Sequence, residues 1–266
     1  MIICKSGAEL ELMRQGGRIV AQVLDELEPL VRPGIRTRDL DLYAEKRTRE
    51  LGAAPAFKGY RGYPSSVCVS VNEEVIHGIP SGRILQEGDI VSLDFGVLYE
   101  GFYADSALTV PVGRTNDQAR KLIEAARRSF FKGLEQVREG NRLSDVSAAV
   151  QRSVEADGFS VIRQFVGHGI GRALHEEPQI PNFGAPGRGP RLRSGMTLAI
   201  EPMIAAGGWE VEVLEDGWTA VTKDRSLAAH YEHTVALTES GPEILSVRSK
   251  DAGEARELPE KERPHA

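Results

Sequence analysis

Gly88-Asp89-Ile90-Val91-Ser92-Leu93-Asp94 is answered later in the chain by Gly195-Met196-Thr197-Leu198-Ala199-Ile200-Glu201. Each stretch opens on a glycine, runs through apolar residues and reaches an acid six residues on. A glycine suits a turn and a short apolar run suits a buried strand, so each acid is carried to a strand end. Two helical patterns precede each stretch. The order helix, helix, strands, then helix, helix, strands predicts an α+β fold of two pseudo-symmetric halves.

Working outward, Ser6 and Glu9 have the spacing of a helix capping box. Leu10, Met13, Gly17, Val20, Leu24 and Leu27 then recur at helical spacing, which predicts a first helix to about Val31, stopped by Arg32-Pro33-Gly34. Thr37 is the expected cap of a second helix ending at Leu51. Ser66–Val71 reads as a strand. Ile90–Gly96, the turn Leu98–Gly101 and the returning strand Phe102–Val110 read as a hairpin. Helical patterns follow over Asn116–Arg138 and Ser144–Ala156. Strand signals then dominate at Thr197–Ile200, Trp209–Leu214, Trp218–Val221 and His233–Leu237.

The 266 residues include 33 Lys+Arg and 39 Asp+Glu, a formal net charge of −6, which disfavours a chain-wide nucleic-acid role. Two cysteines, Cys4 and Cys68, are too few for a disulfide framework or a Cys-rich zinc site and fit a reducing, cytoplasmic setting. The apolar opening Met1–Cys4 is ended by Lys5 and Glu9, short of a signal-peptide core. No run approaches the ~18 apolar residues of a membrane span, so no membrane partner is expected. Residues 1–248 read as a single domain. Of residues 249–266, nine of 18 are charged and none is aromatic, which predicts a disordered tail. The loop Gly184–Gly195 carries Arg188, Arg191 and Arg193 and reads as an exposed connection.

The acids point to chemistry. Asp94 ends an apolar strand, and Asp105 lies on the partner strand of the expected hairpin. Glu201 precedes Pro202, and Glu232 sits between Tyr231 and His233 ahead of an apolar run. Four acids buried together would repel one another and lose hydration, at several kcal/mol per ion by rough estimate. Two divalent cations would neutralise them. His168, in Gly167-His168-Gly169-Ile170-Gly171, would add an imidazole, and its flanking glycines are expected to let backbone approach the ions. Oxygen ligands with one nitrogen suit manganese, iron, cobalt or zinc. Paired metals of that kind serve hydrolysis. The remaining histidine signals, His77, His175 and the pair His230/His233, lie in expected turns or strand ends and not in helices.

From about residue 5 to residue 245 the chain resembles the bacterial type I methionine aminopeptidases. The matching stretches are Gly59-Tyr60-Arg61-Gly62-Tyr63-Pro64, Ser70-Val71-Asn72-Glu73, His77-Gly78-Ile79-Pro80 and Leu93-Asp94-Phe95-Gly96. They continue with Ala104-Asp105, Gly167–Gly171, His175-Glu176-Glu177-Pro178, Glu201-Pro202-Met203 and Tyr231-Glu232-His233-Thr234. The resemblance implies the pita-bread fold, two αβ halves with a curved antiparallel sheet around a dinuclear metal site. It implies Asp94, Asp105, His168, Glu201 and Glu232 as ligands, with Asp94 and Glu232 bridging. It implies removal of an N-terminal methionine, with preference for a small second residue, by metal-activated water. Glu201 would accept the proton, His175 would hydrogen-bond the developing oxyanion, and His77 would position substrate. Tyr60, Tyr63, Cys68 and Trp218 match positions lining the methionine pocket. His230 and His233 are expected to support Glu232.

The chain departs from that pattern at Leu174, Phe57, Ala205 and His230, which puts pocket shape in question and removes no ligand. The expected partners are nascent polypeptide N-termini, with transient ribosome contact through the arginine loop, and the chain is expected to be monomeric. An Xaa-Pro aminopeptidase or prolidase is the nearest rival. Those enzymes usually carry a long N-terminal domain, for which the start of the metal motifs near residue 90 leaves no room. A binding protein that kept the fold and lost catalysis would be expected to lose ligands, and all five are present.

Overall fold

The computed structural model describes residues 1–253. Helix α1 (Gly7–Leu27) starts as expected: the Ser6 hydroxyl accepts from Glu9 N–H while the Glu9 carboxylate accepts from Ser6 N–H. A 3-10 turn over Glu28–Leu30 ends it. Helix α2 (Thr37–Glu50) begins differently. Its cap residue is Arg36 and contributes no side-chain cap, because the Thr37 hydroxyl is taken by Ser81, donating to its carbonyl and accepting from its N–H. Helix α3 (Asp117–Leu134) is capped by Asn116 and is shorter than expected, and helix α4 spans Leu143–Ala156.

Nine strands form one sheet: β1 (Ala54–Pro55), β2 (Val67–Val71), β4 (Ile90–Tyr99), β5 (Phe102–Pro111), β7 (Gly167–Gly169), β8 (Glu176–Ile180), β9 (Thr197–Ile200), β14 (Glu232–Thr238) and β15 (Gly241–Ile244). All its pairings are antiparallel, in the order β1-β4-β5-β14-β9-β7-β8, with β2 on β4 and β15 on β14. Two three-stranded sheets complete the molecule. One holds β6 (Ser160–Val161), β10 (Met203–Ala205) and β13 (Ala228–His230). The other holds β3 (Glu74–Ile76), β11 (Val211–Val213) and β12 (Ala220–Thr222).

The two halves each have a core. Val20, Leu24, Leu27, Leu40 and Ala44 of the first helix pair pack on Val67, Leu93, Phe95 and Leu108. Leu122, Phe130, Val146 and Val150 of the second pair pack on Leu198, Ile200, Val235 and Leu237. The two glycine-to-acid stretches are placed differently: Asp94 does not end its strand as expected but lies midway along β4, which runs on to Tyr99, whereas Glu201 immediately follows β9. Two helix pairs flank the antiparallel sheet, in keeping with the two αβ halves that the repeat suggested and with the pita-bread architecture that the resemblance implied.

The C-terminal boundary differs from expectation. Ser249–Asp251, at the head of the stretch read as a tail, form a 3-10 turn with Asp251 only 1 % exposed. Its carboxylate pairs with Arg248 and Arg127, and that pairing anchors a segment whose composition alone suggested no anchor. The rest of the expected tail, residues 254–266, lies outside the described residues.

Candidate metal centre

Strand register assembles the acids. In the β4–β5 hairpin Asp94 lies opposite Ala107, and in the β5–β14 pair Ala107 lies opposite Glu232. That makes one row across three strands, with a small residue between two carboxylates. Asp105 is two residues from Ala107 and therefore on the same face. Its backbone N–H donates to the Thr234 hydroxyl, Thr234 lies opposite Ala199, and Ala199 lies opposite His168. That makes a second row, again with a small residue before the imidazole. Glu201, two residues beyond Ala199, joins the same face. The two hairpin aspartates are thus diagonal neighbours, not directly opposed as the hairpin alone suggested.

The ligand atoms of Asp105, His168 and Glu232 lie within 4.8 Å of one another. His168 Nε2 is 3.6 Å from Asp105 Oδ2 and 3.5 Å from Glu201 Oε1. His168 Nδ1 lies 2.9 Å from the Gly169 carbonyl oxygen, which leaves Nε2 for the cluster. Asp105, His168, Glu201 and Glu232 are all buried. Burial, then the charge of Asp105, pushes the Asp94 carboxyl up to about 8. Burial pushes Asp105 up to about 7, against the Thr234 hydroxyl that donates to it. Burial followed by the neighbouring acids raises Glu201 and Glu232. Burial lowers His168 to about 4, so the imidazole is neutral.

Such a set fits a divalent cation. It offers four carboxylates and one neutral imidazole, and Glu201 Oε1 is buried without a hydrogen-bond partner. A cation would supply that partner and relieve the mutual repulsion. The flanking glycines serve a different purpose from the one expected. A Cβ on Gly167 would fall 2.4 Å from the Ala199 oxygen, and one on Gly169 2.2 Å from the Glu177 oxygen. They let β9 and the Glu177 backbone close on the strand that carries His168.

The eleven residues expected as ligands, catalytic groups or pocket wall line one cavity of about 170 Å³: Tyr60, Tyr63, Cys68, His77, Asp94, Asp105, His168, His175, Glu201, Trp218 and Glu232. Tyr63 and Trp218 meet edge to face at 5.2 Å, and the Tyr63 hydroxyl donates to the Gly78 carbonyl. His77 lies against Phe165 and Trp218, and burial lowers it to about 4. The Tyr60 hydroxyl is 2.8 Å from His175 Nδ1, and the His175 ring lies 4.3 Å from that of His168. Burial, then the His168 neighbour, lowers His175 to about 3. The departures Phe57 and Leu174 also line the cavity. Arg61 does too, and sequence reading passed over it inside the Gly59–Pro64 stretch.

The expected support of Glu232 divides between its neighbours. His230 Nε2 is 3.9 Å from Glu232 Oε2. His233 points to the opposite face, as strand alternation requires. It binds Ser106 and Ser246 through Nδ1 and Tyr231 through Nε2, and it reaches Glu232 only through Ser106, whose hydroxyl donates to the Glu232 carbonyl.

Fold and site together define a metal-dependent hydrolase. The model of metallopeptidase family M24 matches residues 11–239. Methionine aminopeptidase 1 of Bacillus subtilis is 52% identical over 246 residues, 92% of this chain and 99% of that protein. The crystal structure of methionine aminopeptidase from Thermotoga maritima superposes with a TM-score of 0.91 at 49% identity, covering 92% of this chain and 99% of that one. Prolidase from Pyrococcus furiosus, at 22% identity and a TM-score of 0.77, shares the fold alone. The chain belongs to metallopeptidase family M24 and, within it, to the bacterial-type methionine aminopeptidases. Among the described residues no helix is long and apolar enough to cross a membrane.

Proposed function

We propose that the chain removes the N-terminal methionine from peptides and nascent proteins, preferring a small second residue. One observation carries this reading: the acid-and-histidine cluster and the aromatic wall of Tyr63 and Trp218 line the same small cavity. Asp94, Asp105, His168, Glu201 and Glu232 would hold two divalent ions of manganese, iron, cobalt or zinc. When bound, such a pair lowers the pKa of water and polarises a carbonyl.

The chain's own groups supply the rest. The free α-amine of a substrate would be held at the metal centre, beside the acids and His168, which selects chain ends. Glu201, beside the reacting water on the cavity floor, takes the proton of the attacking water and passes it toward the leaving amine. With the Tyr60 hydroxyl donating to His175 Nδ1, Nε2 carries the proton and donates to the scissile carbonyl oxygen as charge builds there. His77, neutral on the cavity wall, positions the scissile amide. Cys68, Tyr63 and Trp218 offer sulfur and aromatic faces to a flexible thioether. The chain through Asp251 acts as one catalytic domain in a monomeric, cytoplasmic protein. The Arg188–Arg193 loop makes transient contact with the ribosome.

The test is turnover by the metal-reconstituted protein on Met-Ala-Ser and on Ala-Pro peptides. Release of methionine from the first and none from the second is expected, with loss on chelation and recovery with divalent metal. Cleavage of the Ala-Pro peptides, or of neither set, overturns the reading.

A further inference from the structure

Arg61 stands apart from every other group in the cavity wall. The lining includes four carboxylates and three histidines, and Arg61 is its one Lys or Arg. No carboxylate pairs with it among the described residues. The other cations around the site are committed: Lys5 to Glu176 at 2.5 Å and Arg172 to Glu9 at 3.0 Å. Arg61 is exposed, whereas Asp105, Glu201 and Glu232 are buried, so it stands at the mouth and they stand at the floor. Its guanidinium carbon lies 5.4 Å from the centre of the Tyr60 ring, whose hydroxyl engages His175. That places its charge on the His175 side of the cavity.

The backbone holds it there against its preference. Arg61 has φ 51° and ψ 21°, in the left-handed region that residues with a Cβ avoid. It sits in a tight turn closed by Gly62 N–H to Gly59 oxygen and Tyr63 N–H to Tyr60 oxygen. Of the five non-glycine residues with such a φ among the described residues, two, Arg61 and His77, line this cavity, and ligand-contacting sites are one of the places where such conformations gather.

Direction follows from the reaction. On the aminopeptidase reading a peptide enters amine first, since its first peptide bond must reach the acid-and-histidine cluster on the floor, and the residues after the scissile bond lead back out past the mouth. The second residue is small, so the third is the first whose side chain can extend. We propose that Arg61 is a specificity-determining residue that selects peptides carrying a carboxylate side chain at the third position and disfavours those carrying a cation there. This rests on the aminopeptidase reading above.

The experiment compares kcat/KM of the metal-loaded full chain on Met-Ala-Glu, Met-Ala-Gln and Met-Ala-Lys peptides of otherwise identical sequence. The same three are titrated by calorimetry into the metal-free protein, where no cleavage intervenes. The expected order is Glu over Gln over Lys in both measurements, with Glu favoured over Lys by at least about threefold. Arg61→Lys keeps the order, and Arg61→Gln brings the three peptides together. No charge preference in the unaltered chain overturns the proposal, as does a preference that survives Arg61→Gln. So does an Arg61→Gln loss shared equally by all three peptides, the signature of a group that binds backbone. Absence of turnover on every peptide would count against the aminopeptidase reading, while the calorimetric order still decides the role of Arg61.

Discussion

Glu232 and His233 are consecutive residues of β14, and the two faces they enter differ in kind. On the Glu232 face four carboxylates and an imidazole converge, and Glu201 Oε1 finds no partner. On the His233 face both ring nitrogens are satisfied by the hydroxyls of Ser106, Ser246 and Tyr231. Asp251 lies 3.8 Å from His233 Nε2 and is itself paired with Arg248 and Arg127. One face is polar and complete. The other is polar and lacks positive charge. The second kind of burial is costly for the chain alone and useful only when an ion arrives.

The largest effect tests the incomplete face. Asp105→Ala or Glu232→Ala removes a donor from the tightest cluster. Manganese affinity by calorimetry is expected to fall beyond the ~10–100-fold typical of residues that only support a ligand. His175→Ala provides the contrast, retaining metal while turnover slows by about 100- to 1,000-fold, the loss typical of a removed oxyanion donor. Normal metal occupancy in both acid variants would erase the distinction between the faces.

The complete face is tested by stability. His233→Ala leaves a void and strips partners from three buried hydroxyls. A loss of about 3 kcal/mol is expected in urea unfolding of the metal-free protein. Glu232→Gln, which removes a charge from a crowded anionic cluster, is expected to unfold at the same or higher urea concentration. Equal losses in the two variants would mean that both faces serve the fold alike.

The sequence pointed to the ligand face but not to the division, since His233 was expected to support Glu232 and lies on the other face. The ligand face follows from strand patterning plus electrostatics: acids at the ends of apolar runs need neutralising wherever the strands lie. The two-half architecture was legible because each half repeats the same glycine-to-acid stretch in its own helix-helix-strand context. What was not legible depends on groups far apart in sequence. Thr37 has the chemistry of a helix cap, yet its hydroxyl is taken by Ser81, 44 residues on. Gly167 and Gly169 look like room for a ligand and prove to be room for neighbouring backbone. Asp251 sits in a charged, low-complexity stretch and is buried because Arg127 on α3 meets it. Arg61 lies inside a recognisable motif, but its lack of a carboxylate partner is a tertiary property that no local pattern carries.

The smallest effect separates the faces by pH. In the metal-free protein the acids have folded pKa values raised above their unfolded ones, Asp105 to about 7 and Asp94 to about 8. The folded state therefore binds more protons than the unfolded state, and stability falls as pH rises through that range. Five histidines have the opposite sign. Burial lowers His77 and His168 to about 4 and His175, His230 and His233 to about 3, so the unfolded state binds more protons below its ordinary value near 6.5. Below about pH 6.5 the two sets oppose one another. Above pH 7 the histidines are neutral in both states and the acids act alone. From pH 7 to 8 the metal-free protein is expected to lose on the order of 1 kcal/mol of stability, read as a falling urea midpoint. Metal loading should abolish that fall, because the ligands are then ionised throughout, and binding should release protons measurable by titration in buffers of different ionisation enthalpy. Asp94→Asn should flatten the slope in the metal-free protein and His233→Ala should leave it unchanged. A slope equal in all three would place its origin outside the cluster and break the link between the incomplete face and the ion it awaits.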